Sequence, residues 1–193
     1  MRRNLLRHRF RVGHIRGRVP VLVHWSVPAL CLFLVGVWVD QWLMATVAVA
    51  SYLTMLLTHE VGHQLVAERR GCRILAIEIY PLHGRCVFEP WVRDDEAFVA
   101  WGGALAQFAV ALPLAAYVIL AGYTRFEPVN AILAILGFIS PIIAALNLLP
   151  IAPLDGRRAW AAIPLLFSRS KRKTRDLTAG EALEEALRKA RRQ

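Results

Sequence analysis

Two histidines four residues apart, with a glutamate beside the first, stand in the stretch Thr58-His59-Glu60-Val61-Gly62-His63-Gln64. In a helix of about 3.6 residues per turn, positions i and i+4 lie about 40° apart round the axis. His59 and His63 then point the same way, one turn apart, and can share one metal ion. Glu60 sits next to them, where it can take a proton from a water at that metal. This is the spacing of a zinc site that hydrolyses peptide bonds. A soluble zinc hydrolase would bury such a helix in water-soluble protein. Here the helix is led by Gln41 to Thr58, a run without formal charge, long enough to enter a bilayer.

The bulk properties agree with a membrane setting. The 193 residues are 56% hydrophobic and the mean hydropathy is +0.42, above the usual share for a soluble domain. The length suits a single domain. The net charge of +10 could signal nucleic-acid binding. The basic residues, however, cluster outside the apolar runs, as they do at the cytoplasmic ends of spanning helices, so no nucleic-acid partner is expected. Cys31, Cys72 and Cys86 form no C-x-x-C pair, and no disulfide framework is implied.

Four apolar segments follow one another along the chain. Residues 1–18 carry seven arginines and no acid, like the start of a signal peptide. The apolar part that follows runs from Val19 to Val39 and ends in Asp40-Gln41-Trp42, with no small-residue cleavage site. It is therefore expected to stay as a first transmembrane helix, with Pro20 near its start, Pro28 as a kink, and His24 as a structural or interfacial histidine. The second helix is expected from about Gln41 to Arg69, with Gly71 as its stop. Arg69, Arg70 and Arg73 then put the N-terminus and the 69–93 segment on the cytoplasmic side, and with them the metal motif. Over 73–92 the apolar period changes to two: Leu75, Ile77 and Ile79 alternate with Ala76, Glu78 and Tyr80, Pro81 to Gly84 turns, and Cys86 to Phe88 returns. This predicts a short cytoplasmic-side β-hairpin, either a packing flap or an edge strand over 74–80 that pairs with an extended substrate. His83, in the turn, is a second-choice metal ligand.

Asp94, Asp95 and Glu96 suit the positive end of a third helix, which continues uncharged from Ala97 to Ala121. Gly102 and Gly103 on this helix allow close helix packing or leave room for a substrate backbone. A fourth helix is expected from about Val129 to Leu149, ending in Asn147-Leu148-Leu149-Pro150-Ile151-Ala152-Pro153-Leu154-Asp155-Gly156. Arg157 and Arg158 place this end on the cytoplasmic side too. Ser168 to Arg175 is a basic linker, facing lipid headgroups or solvent. Thr178 to Glu181 is a capping box opening a short tail helix. The expected fold is thus an all-α integral membrane protein of about four transmembrane helices, with the hairpin between helices two and three. Its membrane domain covers 1–168 and a basic cytoplasmic tail covers 169–193.

Two histidines do not complete a catalytic zinc site, which usually has three protein ligands and a water. Asp155 is the best third candidate, since an acid adjoining a long apolar segment is costly and functional by default. Its plainer role would be an interfacial carboxylate paired with Arg157 or Arg158.

These residues resemble the site-2 protease family of intramembrane zinc metalloproteases. Two motifs carry the likeness: His59-Glu60-Val61-Gly62-His63 with its continuation to Gly71, and Asn147-x-x-Pro150-x-x-Pro153-Leu154-Asp155-Gly156. The resemblance covers about 43–158. It implies a three-helix catalytic core and one zinc ion per chain on His59, His63 and Asp155. It also implies Glu60 as general base and then acid, and Asn147 holding the substrate or the developing oxyanion. The glycine-bearing third segment is a looser match, with Ala104 and Gln107 where a proline and an asparagine are common. The form is compact, without a PDZ-like or CBS-like domain. Implied partners are the lipid bilayer and a membrane-protein substrate with a transmembrane segment, in a bacterial inner membrane with both termini cytoplasmic. The alternatives are a non-catalytic membrane binding protein that kept a structural zinc site, and a metal transporter. The intact Glu60 speaks against the first. The second would need ionisable residues along the whole pathway, whereas here they collect at one end.

Overall fold

A computed structural model describes residues 9–15, 19–81, 83–90 and 94–167. Its elements include, in order, β1 (Arg9–Ile15), β2 (Val19–His24), α1 (Ser26–Val37), α2 (Trp42–Arg69), β3 (Arg73–Ile79), β4 (Gly84–Glu89), α3 (Asp95–Ala121), α4 (Glu127–Ala134), α5 (Ser140–Asn147) and α6 (Gly156–Ala159). A π turn, Ile135–Ile139, joins α4 to α5. The basic linker and the tail helix expected after residue 168 lie outside the described residues.

Among the described residues, three helical stretches are long and apolar enough to cross a membrane: Val39–Arg69, Asp95–Ala121 and Glu127–Asn147. The single first helix expected over Val19–Val39 is not formed. Its opening residues are β2, and α1 is only 12 residues long. The cause is local and tertiary together. Val19, Val21 and Val23 are β-branched at period two, which suits a pleated surface. Val21–Val23 also finds a ready partner, lying parallel to Ile77–Ile79. Pro20 stands ahead of that ladder, where its missing N–H breaks no bond to β3.

The all-α expectation is corrected in the same way. The segment after α2 does fold back on itself, β3 pairing antiparallel with β4, but it belongs to a four-stranded sheet ordered β1-β2-β3-β4. β1, antiparallel to β2, was hidden among the N-terminal arginines. β3 is therefore an interior strand, paired on both sides over Ile77–Ile79. Those three residues are not a free edge for a substrate; on the β4 side of the sheet the edge strand is β4.

The sheet packs on the metal-motif helix. Val19, Val27, Ile77 and Ile79 form a buried cluster against Leu53 and Val61 of α2. α2 then stops at Gly71, whose φ of 77° is left-handed and cheap only for glycine. Beyond the stop, Arg70 donates to Asp95 Oδ1 at 2.8 and 2.6 Å, tying the end of α2 to the start of α3. The two helices cross with almost no gap. A Cβ on Gly62 would lie 2.2 Å from the Gly102 carbonyl oxygen, and one on Gly102 would lie 2.4 Å from the Gly62 carbonyl oxygen.

Candidate active site

α2 delivers His59 and His63 from one face, their ring centroids 4.6 Å apart. The loop after α5 brings Asp155 to them from 92 residues further on. Asp155 Oδ2 lies 2.9 Å from His59 Nε2 and 3.1 Å from His63 Nε2, and the two Nε2 atoms are 3.0 Å apart. Three ligand-type atoms thus converge on one point. Asp155 is not paired with its neighbouring arginines: Arg158 instead faces Glu96 at 3.7 Å.

The loop is held by its surroundings. Trp160 Nε1 donates to the Leu148 carbonyl at 2.7 Å, and Trp101 Nε1 of α3 donates to the Ala159 carbonyl at 2.8 Å. Gly156 lets α6 close on the loop, since a Cβ there would sit 2.1 Å from the Leu148 oxygen.

The other ring nitrogen of each histidine tests whether a metal fits. His59 Nδ1 is 2.8 Å from Gln107 Oε1, and His63 Nδ1 is 2.7 Å from the Val99 carbonyl. A carbonyl oxygen only accepts, so each Nδ1 carries the proton. In its neutral form each ring then turns a bare Nε2 lone pair toward the other and toward the Asp155 carboxylate. Such a cluster without a proton in it calls for a cation. Two imidazole nitrogens and one carboxylate oxygen, with outer partners fixing both rings, match the donor set and second shell of a catalytic zinc ion.

Glu60 completes the cluster. Its ligand atoms and those of His59 and His63 lie within 4.8 Å of one another. It is only 3% exposed, its Oε2 has no hydrogen-bond partner, and the Cys86 backbone N–H meets the carboxylate. Gly84 leaves the room it needs: a Cβ there would lie 2.4 Å from the Glu60 carboxylate. Gly103 does the same for His59, where a Cβ would lie 2.5 Å from the ring. Gly102 and Gly103 therefore serve close packing against α2 and its ligand.

The remaining candidates fall elsewhere. His83 is exposed and stacks on Tyr80 at 4.8 Å; His24 meets Ser26 Oγ at 2.6 Å and stacks on the same Tyr80 ring at 5.5 Å. Neither reaches the cluster. Asn147 ends α5, half-buried. The roles of Gly84, Gly103 and the Val99 carbonyl had no local signature, because each depends on what another element places opposite. Gln107 did carry one: it is the one amide side chain in α3.

No family model matches the chain. Among curated proteins it is 30% identical over 169 residues to a Mycobacterium tuberculosis protein and 30% identical over 124 residues to one from Synechocystis sp.. Both are named "Putative zinc metalloprotease", Rip3 and sll0528 respectively. These matches cover 76% and 63% of this chain, and 41% and 32% of the relatives. Zinc metalloprotease MJ0392 of Methanocaldococcus jannaschii is 23% identical over 164 residues, 82% of this chain and 46% of that protein. The chain thus spans less than half the length of the curated relatives it matches. Its fold is shared with the solved Site-2 Protease from Methanocaldococcus jannaschii, at a TM-score of 0.63 and 23% identity, covering 80% of this chain and 71% of that one. With both motifs in place, this integral membrane protein is similar in sequence to zinc metalloproteases and shares its fold with a site-2 protease.

Proposed function

We propose that the protein is a zinc-dependent intramembrane endopeptidase, hydrolysing peptide bonds in or near the transmembrane segments of membrane-protein substrates. The observation that carries this is the convergence of His59 Nε2, His63 Nε2 and Asp155 Oδ2 within 3.1 Å of one another, beside a buried carboxylate with a free oxygen. His59, His63 and Asp155 would hold one zinc ion per chain. When bound, zinc supplies a Lewis acid that activates water near neutral pH and polarises the scissile carbonyl. Glu60 takes the proton of the attacking water on its unpartnered Oε2 and passes it to the leaving amine. Asn147, whose amide is not hydrogen-bonded to another described residue, is available to donate to the substrate carbonyl or the developing oxyanion.

A transmembrane helix satisfies its own amides, so a substrate must unwind before attack. β4 offers the place to hold it extended. Its outer edge runs past Glu60, where Gly84 and the Cys86 N–H meet the carboxylate. A substrate strand added along β4 would lie beside the base.

In the bilayer, the basic residues after α2 and after Asp155 support a cytoplasmic active site and cytoplasmic termini in a bacterial inner membrane. α1, at about 18 Å, falls short of a hydrocarbon core of about 30 Å. The sheet that receives it, however, reaches up to Glu60, nine residues or about 14 Å from the end of α2. Sunk to that depth, the sheet shortens the crossing, and α1 becomes the first of four passes.

The test is Glu60→Gln in proteoliposomes carrying a membrane-tethered substrate. Zinc content should match wild type and cleavage should fall below detection. Equal cleavage by the variant would remove Glu60 as base. A wild-type chain that holds zinc and cleaves nothing in its native membrane would favour the non-catalytic alternative.

A further inference from the structure

Between Glu96 and the end of α3 the only amide or charged side chain is Gln107, and between residues 131 and 146 the only hydroxyl is Ser140. These two isolated polar groups, 1% and 3% exposed, meet inside the bundle. Gln107 Nε2 donates to Ser140 Oγ at 3.2 Å, while Gln107 Oε1 accepts from His59 Nδ1 at 2.8 Å. The chain of contacts runs from α3 to α5 in one direction and to α2 in the other. Polar groups at membrane depth are costly and seldom idle.

Ser140 is set in place by an unusual turn. It follows the π turn directly, and its backbone N–H bonds to the Ile135 carbonyl. Pro141 explains the widening: it has no N–H for Gly137, and its ring would crowd the Gly137 carbonyl in a regular helix. Gly137 in turn lets this turn close on α3, where a Cβ would stand 3.3 Å from the Ala115 nitrogen. Ser140 therefore faces Gln107 at a fixed height, on the same helical stretch whose end leads to Asp155.

We propose that Gln107, held by Ser140, is a positioning residue for the zinc site. Its oxygen keeps the proton of His59 on Nδ1, fixes the rotation of the ring, and leaves Nε2 bare for the metal. Through Ser140 the same amide ties α5, and so the loop that carries Asp155, to the helix that carries His59. The rival explanation is simple glue between two helices, which is worth little in membranes and would show only as stability. The proposal rests on the zinc assignment above.

The experiment measures zinc affinity by chelator competition in the purified full-length protein. Cobalt(II) absorption of the substituted site and the melting temperature of the metal-free form are recorded beside it. Gln107→Leu should weaken zinc by about 10- to 100-fold, the range found for outer-shell partners, and shift the cobalt bands. Gln107→Glu keeps an acceptor at Nδ1 and should stay within about threefold of wild type, and Ser140→Ala should lose several-fold. Equal weakening in Gln107→Leu and Gln107→Glu would mean that shape alone matters and would overturn the proposal. So would wild-type affinity in all three variants with only the metal-free melting temperature lowered. If Gln107→Leu does not fold, Ser140→Ala decides: several-fold weaker zinc supports the role, and unchanged zinc refutes it. Wild-type protein that binds no zinc would instead sink the assignment beneath it, which is a separate result.

Discussion

The two halves of the helical bundle do opposite things. Toward Arg69, the facing surfaces of α2, α3 and α5 bury His59, Glu60, His63, Gln64, Gln107 and Ser140. Toward Trp42 and Gly122, α2 and α3 carry no charged or amide side chain; the hydroxyls of Thr46, Ser51 and Thr54 bond back to carbonyls of their own helix, and Leu112, Ile119 and Leu120 turn outward. In water the first half would be the anomaly. In a bilayer the second is merely solvated by lipid, while each buried polar group of the first needs a partner or a task. Nearly all of them have a partner. The exceptions among the described residues are Glu60 Oε2 and Gln64 Oε1, both on the metal helix and one turn apart.

The largest effect expected from this contrast is the loss of Asp155. Asp155→Ala removes one of the three proposed ligands and leaves the two imidazoles facing each other. Zinc affinity should fall by more than about 100-fold, beyond the range for outer-shell partners, as read by chelator competition. Full zinc retention in this variant would mean that another group completes the site. The polar half would then not be organised round a point shared by α2 and the α5 loop.

How this polar half is assembled was only partly legible beforehand. His59 and His63 were plain, because helical periodicity is local and a spacing of four fixes their direction. Asp155 was legible through the prolines and the acid next to an apolar segment, and the resemblance named it. Helix two was legible to its glycine stop. The Val19–Val39 run was misjudged because hydropathy measures dryness, not backbone shape. A buried strand and a membrane helix look alike until Val21–Val23 meets Ile77–Ile79. β1 was missed because Arg9 and Arg11 mask an alternation whose partner is β2. Arg9 nevertheless reaches Glu78, so a residue taken for a topology signal is part of the sheet. Gly84 and Gly103 could not be foreseen, because the need for a missing Cβ arises only from what packs opposite.

A second expectation sharpens how dry the polar half is. Cys86 stands on β4 near Glu60, and burial, with the carboxylates of Glu60 and Glu68 behind it, pushes its thiol up to about 12. At pH 8 its thiolate fraction is then about 2000-fold below that of an ordinary thiol; the greater nucleophilicity of a basic thiolate recovers part of this, leaving alkylation roughly 50-fold slower. Because the shift is upward, reactivity should keep rising with pH well beyond pH 9, where an exposed thiol has levelled off. Peptide mass spectrometry after iodoacetamide treatment at several pH values reads this directly. Alkylation of Cys86 at the ordinary rate would show that the face under β4 is open to water.

A third expectation separates the base from the ligands. Gly84→Ala places a methyl group against the Glu60 carboxylate, and Gly103→Ala places one against the His59 ring. The first should lower cleavage by about tenfold while zinc affinity stays near wild type, as expected when a base is displaced and the metal is not. The second should lower zinc affinity, by an amount comparable to losing an outer-shell partner, about tenfold. If both substitutions affected zinc alike, Glu60 would be behaving as a ligand, and the division of labour within the cluster would need to be redrawn.

The smallest effect should come from the bare half. Leu120 is 86% exposed and lies at the end of α3 far from Gln107. In a bilayer its side chain touches acyl chains, which are as apolar as leucine itself, so removing it exposes nothing to water and opens no cavity. Leu120→Ala should therefore change stability by less than about 0.5 kcal/mol, as surface substitutions do, and leave zinc affinity unaltered. Thermal unfolding in detergent and again in lipid nanodiscs makes the measurement. A large destabilisation in either medium would mean that Leu120 is packed against protein rather than lipid, most simply a second copy of this chain. The bare half would then be an interface, and the contrast with the polar half would be one between two kinds of binding surface rather than between a site and its solvent.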